Sequence, residues 1–292
     1  MGQVEEHVGR EVGSGAVTLH QVTGGNGVRL AVRTAGPPGA PSIVLLHGWA
    51  QSGAAFAAQL ADPTLTAEYR LAAPDLRGHG YSDVPDPDGG YSDPEAWADD
   101  VAAVIDLVGK PVVLVGWSYG GAVITDYLRV FGEDDLAGIV FASAAVEVGR
   151  DRPGAGPGTA MRSVVPYVNL EDLDAATRGF TEFVRGMAEG HLPGELSQRI
   201  VGDALRVPWQ VRRAMFRRDF DSSGVLQRIT VPTLVAHGEL DAVVDPSVAQ
   251  YTVGKIPGAR LRWFPKTGHM PFAERTEEFD AMLLEFAGQV LE

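Results

Sequence analysis

Val112-Val-Leu-Val-Gly-Trp-Ser-Tyr-Gly120, followed by Ala122-Val-Ile-Thr-Asp-Tyr-Leu128, is the stretch on which the fold turns. The run Val112 to Val115 is apolar without alternation, the pattern of a strand covered on both faces, and the segment after Gly120 reads as a helix. Glycines two before and two after Ser118 permit a sharp strand-to-helix turn, where a side chain on either flank would collide with neighbouring backbone. Such a turn lifts the Ser118 hydroxyl to the carboxyl end of a sheet, at the start of a helix. The bare five-residue pattern is also compatible with a simple αβ turn; its place after a buried strand and before a helix is what gives it meaning.

Further short apolar runs extend this strand into a sheet: Ile43 to Leu46, Leu71 to Ala73, Ile139 to Ala142, Leu234 to Ala236, and a last strand Arg260-Leu-Arg-Trp-Phe264. Upstream, the alternating runs Val17 to Val22 and Val28 to Arg33 flank Gly24-Gly-Asn-Gly27, whose Asn-Gly pair predicts a tight primed turn and an antiparallel hairpin at a sheet edge. Ser92-Asp-Pro-Glu95 offers a helix start before Trp97, Val101, Val104, Ile105 and Val108 at three-to-four spacing. Strand and helix in repetition imply right-handed crossovers and a doubly wound α/β sheet. The rhythm stops after Ala145: from Glu147 to Arg228 an Arg-rich, helix-like stretch intervenes before strand signals return at Val231. The organisation expected is a tail over residues 1–15, a core over 16–146 and 224–292, and a helical insertion over 147–223.

Composition narrows the function. The 292 residues carry a formal charge of −14, a sign that repels phosphate backbones and makes nucleic acid an unsuitable partner. The charge is uneven: residues 147–228 hold 12 Arg against 11 acidic residues, half of all the basic residues in the chain. Cysteine is absent, which removes thiol nucleophiles, disulfides and Cys-based zinc sites. No window reaches the roughly 18 consecutive apolar residues of a membrane span. Met1 to Gly15 lack the basic and apolar regions of a secretory signal, so the chain reads as cytoplasmic.

A serine hydroxyl needs a base held against it. Among seven histidines, His269 in Lys266-Thr-Gly-His-Met-Pro-Phe272 follows the last strand. His7, His20 and His191 fall in the tail, hairpin and insertion, and His47, His79 and His237 suit other tasks. Asp241, in His237-Gly-Glu-Leu-Asp241, lies between serine and histidine in chain order at the end of a strand, where an acid would fix the imidazole tautomer. Glu239 and Asp245 are its neighbours and read as loop charges. The oxyanion calls for two preset donors: the backbone N–H of Tyr119, next to the nucleophile, and that of Trp49 in Leu46-His-Gly-Trp49.

Together these residues resemble the α/β-hydrolase superfamily from about Val17 to the C-terminus, through His47-Gly-Trp49, Asp75-Leu-Arg-Gly-His-Gly-Tyr-Ser82, the turn around Ser118, His237 to Asp241 and Gly268-His269. The resemblance implies an eight-stranded, mostly parallel sheet with an antiparallel second strand, and a helical cap after the sixth. Ser118 separates the chain from haloalkane dehalogenases and epoxide hydrolases of this superfamily, which carry aspartate there. Cap-bearing carboxylesterases, including those acting on methyl esters of carrier-bound acyl chains, look most similar. They imply a serine hydrolase cleaving a small-molecule ester or lactone without metal or organic cofactor. Perhydrolases and carbon–carbon bond hydrolases share the triad, and a receptor with a vestigial triad is the non-enzymatic alternative. Trp117 and Met270, with Tyr167, Phe180, Phe183, Trp209 and Phe216 of the insertion, are candidates for an apolar pocket, or for the insertion's own core. The pairs Arg212-Arg213 and Arg217-Arg218 read as a solvated face, or as a surface meeting an acidic carrier protein or a substrate carboxylate.

Overall fold

Eight strands form one sheet: β1 (Thr18–Thr23), β2 (Arg29–Ala35), β3 (Ser42–Leu46), β4 (Arg70–Pro74), β5 (Val112–Trp117), β6 (Leu136–Ala142), β7 (Thr233–Gly238) and β8 (Arg260–Phe264), in the order β1-β2-β4-β3-β5-β6-β7-β8. The computed structural model describes residues 17–168, 170–190 and 192–291; the expected tail over residues 1–15, His7 and His191 lie outside them. β2 pairs antiparallel with both β1 and β4, and the remaining pairs are parallel. The sheet is therefore the mostly parallel one expected, with the second strand reversed. Each residue of β3 and β5 is buried, which is why these strands read as continuous apolar runs rather than alternating ones. β8, on the edge, buries only Phe264 fully and keeps two arginines.

The hairpin differs from expectation in its turn. Gly24 N–H bonds to Val28 O (2.8 Å), leaving a three-residue loop, Gly25 to Gly27, in place of a two-residue turn. Asn26 and Gly27 do take positive φ, 57° and 75°, as an Asn-Gly pair favours. Gly25, however, is drawn off the ladder: its N–H donates to Asp100 Oδ1 (2.9 Å), and Asp100 itself forms a buried pair with Arg77 at 2.7 Å.

Helices cover the sheet. α1 (Pro94–Val108) starts at Asp93, whose carboxylate accepts from Glu95 N–H (2.9 Å), with proline in the first turn. It packs against α2 (Gly120–Phe131), the helix that follows Ser118. Between β6 and β7 come α3 (Thr159–Val168), α4 (Leu173–Gly186), α5 (Gly194–Arg206) and α6 (Trp209–Phe216), and among the described residues this segment adds no strand to the sheet. α4 shows why these are helices: Ala176, Phe180, Phe183 and Val184 are buried at three-to-four spacing, while Arg178, Glu182 and Arg185 face outward. α7 (Ser247–Lys255) and α8 (Thr276–Val290) complete the chain, with α8 lying against β6. No described helix is long and apolar enough to cross a membrane.

Candidate active site

The parallel strands deliver the predicted residues to one edge of the sheet: Trp49 follows β3, Ser118 follows β5, Asp241 follows β7 and His269 follows β8. Loops at the carboxyl ends of parallel strands are where α/β sheets bind ligands. At the turn after β5, Ser118 has φ 55°, a left-handed conformation costing about 1–2 kcal/mol for a residue with a Cβ. The flanking glycines make it feasible. A Cβ on Gly116 would stand 2.7 Å from the Gly120 carbonyl carbon, and one on Gly120 would stand 2.4 Å from Leu46 O.

His269 and Asp241 are hydrogen bonded, Nδ1 to Oδ2 at 2.8 Å, and both side chains are buried. Asp241 Oδ1 accepts from the N–H groups of Val243 (2.8 Å) and Val244 (3.0 Å). Burial would push this carboxyl up, but the charge of His269 and hydrogen bonds from His237 and His269 outweigh it and hold Asp241 well below the usual carboxylate range. Asp245 instead caps the backbone N–H of Ser247 at 2.9 Å, and Glu239 is exposed.

Ser118, Trp49 and Tyr119 line one cavity of about 150 Å³. A Cβ on Gly48 would stand 2.8 Å from Ser118 Cβ, so the His47-Gly48-Trp49 turn lies directly against the serine. That turn is pinned by two histidines in structural tasks. His47 donates from Nδ1 to Gly48 O (2.8 Å) and accepts at Nε2 from Leu76 N–H (2.9 Å); His79 accepts at Nε2 from Ala50 N–H (3.2 Å). Burial pushes the His79 imidazole down to about 4 and His47 well below its ordinary value, so both serve as uncharged fasteners.

The aromatic candidates separate. Phe216 lines the cavity with Trp49. Phe180 and Phe183 are buried and pack on Trp49 at ring-centroid distances of 5.8 and 6.1 Å, so they support its wall from behind. Trp117 points into the core: Nε1 donates to His269 O (2.9 Å) and its ring stands 5.4 Å from the imidazole. Met270 is fully buried, Trp209 opens α6 half-buried, and Tyr167 is 54% exposed. Helical spacing names a buried face without saying what that face meets, which is why these could not be told apart in the sequence.

Two contributions escaped sequence reading. Glu274 accepts from Gly268 N–H (3.0 Å) and Met270 N–H (3.2 Å), on either side of His269, and from Glu189 N–H (2.9 Å) beyond α4; His269 N–H donates to Met187 O (2.7 Å). The histidine loop is thus tied to the β6–β7 segment. The spacing His269-Met-Pro-Phe-Ala-Glu274, an acid one turn past the histidine, was the available signal. The second is Arg218. The arginine pairs do not form a single solvated stripe: Arg213 and Arg217 are exposed, but Arg212 and Arg218 are buried. Arg218 binds both Asp126 oxygens (2.9 and 2.7 Å) and donates to Tyr119 Oη (3.0 Å), joining α2 and the residue after Ser118 to the end of α6. Burial pushes Asp126 up to about 6 against the pull of Arg218. Arg218→Met strands that carboxyl in the interior and is expected to destabilise the fold by about 3–5 kcal/mol in urea denaturation at pH 7.

With this geometry in place, a model of the alpha/beta hydrolase family matches residues 43–282. The chain belongs to that family. An esterase from Rhodococcus sp. ECU1013, RhEst1, superposes on this hydrolase with a TM-score of 0.87 at 37% identity, covering 93% of this chain and 99% of that one. An esterase from Exiguobacterium antarcticum gives a TM-score of 0.80 at 28% identity over 92% and 98% of the two chains. The pimeloyl-[acyl-carrier protein] methyl ester esterase of Neisseria meningitidis serogroup A is 29% identical over 261 residues, 88% of this hydrolase and 80% of the relative.

Proposed function

We propose that this esterase-type alpha/beta hydrolase cleaves a small, uncharged carboxylic ester through an acyl-enzyme on Ser118. Ser118 Oγ attacks the acyl carbon as His269 Nε2 takes its proton; the N–H groups of Trp49 and Tyr119 receive the oxyanion. Asp241, by accepting from Nδ1, keeps the basic nitrogen on the serine side and stabilises the imidazolium. The alcohol leaves with the proton from His269, and water activated by the same imidazole hydrolyses the acyl-serine. Residues 147–223 act in this reading as a cap that shapes the acyl site: Met161 and Phe216 come from its helices, and Glu147, Val148, Gly149, Ala155 and Pro157 from the stretch ahead of them.

The observation that supports the proposal is a shared cavity: Ser118, Trp49 and Tyr119 line one largely apolar space that also meets Val243 and Val244, the residues whose N–H groups anchor Asp241. Its charged lining residue, Glu147, is acidic and already accepts from Gly154 N–H (2.8 Å), Ser222 N–H (3.1 Å) and the Tyr251 hydroxyl (3.1 Å). An acyl tail ending in a carboxylate has no cation to meet there. About 150 Å³ is the space of roughly five waters at ~30 Å³ each, a short acyl chain.

The test is a series of p-nitrophenyl esters. Each added methylene, at about 0.8 kcal/mol, is expected to raise kcat/KM about fourfold until the cavity fills, with a maximum near butyrate to hexanoate. Dodecanoate and an ester whose acyl tail ends in a carboxylate are each expected to fall at least about tenfold below the optimum. A profile still rising at dodecanoate would remove this cavity as the acyl site.

A further inference from the structure

Asp241 carries more than the imidazole of His269. His237, in β7, is fully buried, and its Nε2 lies 3.1 Å from Asp241 Oδ2 and 3.1 Å from Val244 O. A carbonyl oxygen only accepts, so the hydrogen is on Nε2, bonded to the carbonyl with the carboxylate oxygen at the same distance. The carboxylate oxygen it reaches is the same one that receives Nδ1–H of His269. The other nitrogen, Nδ1, is buried with no hydrogen-bond partner among the described residues. Packing alone does not explain such a side chain: a leucine would fill the site without burying an unpaired nitrogen.

We infer that His237 is a positioning residue that draws off part of the Asp241 charge through Nε2–H and thereby sets the pH at which His269 becomes available as a base. With four N–H donors on its two oxygens, Asp241 is saturated, and its attraction for a proton on His269 is correspondingly diluted. The groups around this pair are Asp241 and Asp245 on the turn after β7 and the Trp263 ring of β8, 6.1 Å from His237, while Glu274 binds the backbone N–H groups on either side of His269. The catalytic meaning of the inference rests on the acyl-transfer reading above; the coupling of the two histidines through one oxygen does not.

Removing the donor concentrates charge on Oδ2 opposite His269, favours the imidazolium, and moves the titration upward. His237→Leu is expected to raise the midpoint of the His269 imidazole, followed by NMR and assigned by its loss in His269→Asn, by about one pH unit. The acid limb of kcat/KM for a short ester should move with it. His237→Gln can place its amide Nε2 where the imidazole Nε2 stood, and should titrate within a few tenths of a unit of the native protein. His237→Asn, whose shorter amide sits nearer the Nδ1 position, should behave like the leucine variant and serves where leucine prevents folding. A His269 midpoint unmoved in folded His237→Leu or His237→Asn overturns the inference, as does a glutamine variant displaced as far as they are. The NMR titration needs no substrate, so an ester hydrolysis indifferent to Ser118→Ala would remove the acyl-transfer reading and leave this coupling to be decided by itself.

Discussion

Ser118→Ala is expected to lower kcat for a short p-nitrophenyl ester by at least about 10⁴-fold with little change in melting temperature. Alanine keeps the Cβ of serine, so it meets the same left-handed backbone at φ 55° and the same approach of Gly48. The turn remains as it was, and the loss is that of the nucleophile. Residual activity should survive, because the N–H groups of Trp49 and Tyr119 persist and can still polarise a bound ester toward water. Comparable rates in native and variant protein would put the chemistry elsewhere.

Asp241→Asn is the second large effect, and it is expected to reach both catalysis and stability. All four of the native contacts to this side chain are N–H donors: Val243 and Val244 on one oxygen, His237 and His269 on the other. An asparagine has one accepting oxygen, so its amide group must face donors on one side. If the amide faces the histidines, His269 gains by turning Nδ1 into an acceptor, which puts the hydrogen on Nε2 and blocks it as the base for Ser118. The expected fall in kcat is about 10⁴-fold, with KM nearly unchanged because the cavity wall is intact. The stability effect has a defined pH window. Asp241 is held below the usual carboxylate range, so its contribution is present above the unfolded value near about 3.9 and is lost as pH falls through the folded one. The melting-temperature gap between native and variant protein should therefore be widest at pH 6–7 and close as the pH falls below about 4. A gap that widens on acidification would mean that the carboxylate is not what those donors hold.

Much of this architecture is written locally. The continuous runs that became β3 to β7 lie buried on both faces, and the glycines around Ser118 are required by contacts with Gly120 and Leu46, so a pattern of a few residues was enough to place them. What was not legible depends on partners far along the chain. The hairpin loop is set by Asp100, 75 residues from Gly25; Arg218 reads as surface charge until Asp126, 92 residues earlier, is brought beneath it. Trp117 and Phe180 have the same apolar character in sequence, yet one carries the His269 carbonyl and the other backs Trp49. His237 is a histidine of a buried strand until Asp241 turns back toward it.

The arrangement also assigns a division of labour. The sheet fixes Ser118, Asp241 and His269 through strand ends and short turns, whereas much of the wall of the cavity comes from the segment between β6 and β7, which touches the body through the bridges Val148–Phe220 and Pro157–Val244 and through the Glu274 contacts. Substitutions in that segment should change which ester is taken more than how it is cleaved, Arg218 and the Glu274 partners excepted.

Intact-mass and peptide-mapping analysis after reaction with a fluorophosphonate addresses the nucleophile most directly. One phosphonyl adduct per chain, located on Ser118, absent from Ser118→Ala and formed far more slowly in His269→Ala, is the predicted result. An adduct on another residue, or labelling that proceeds equally well without Ser118, would contradict it.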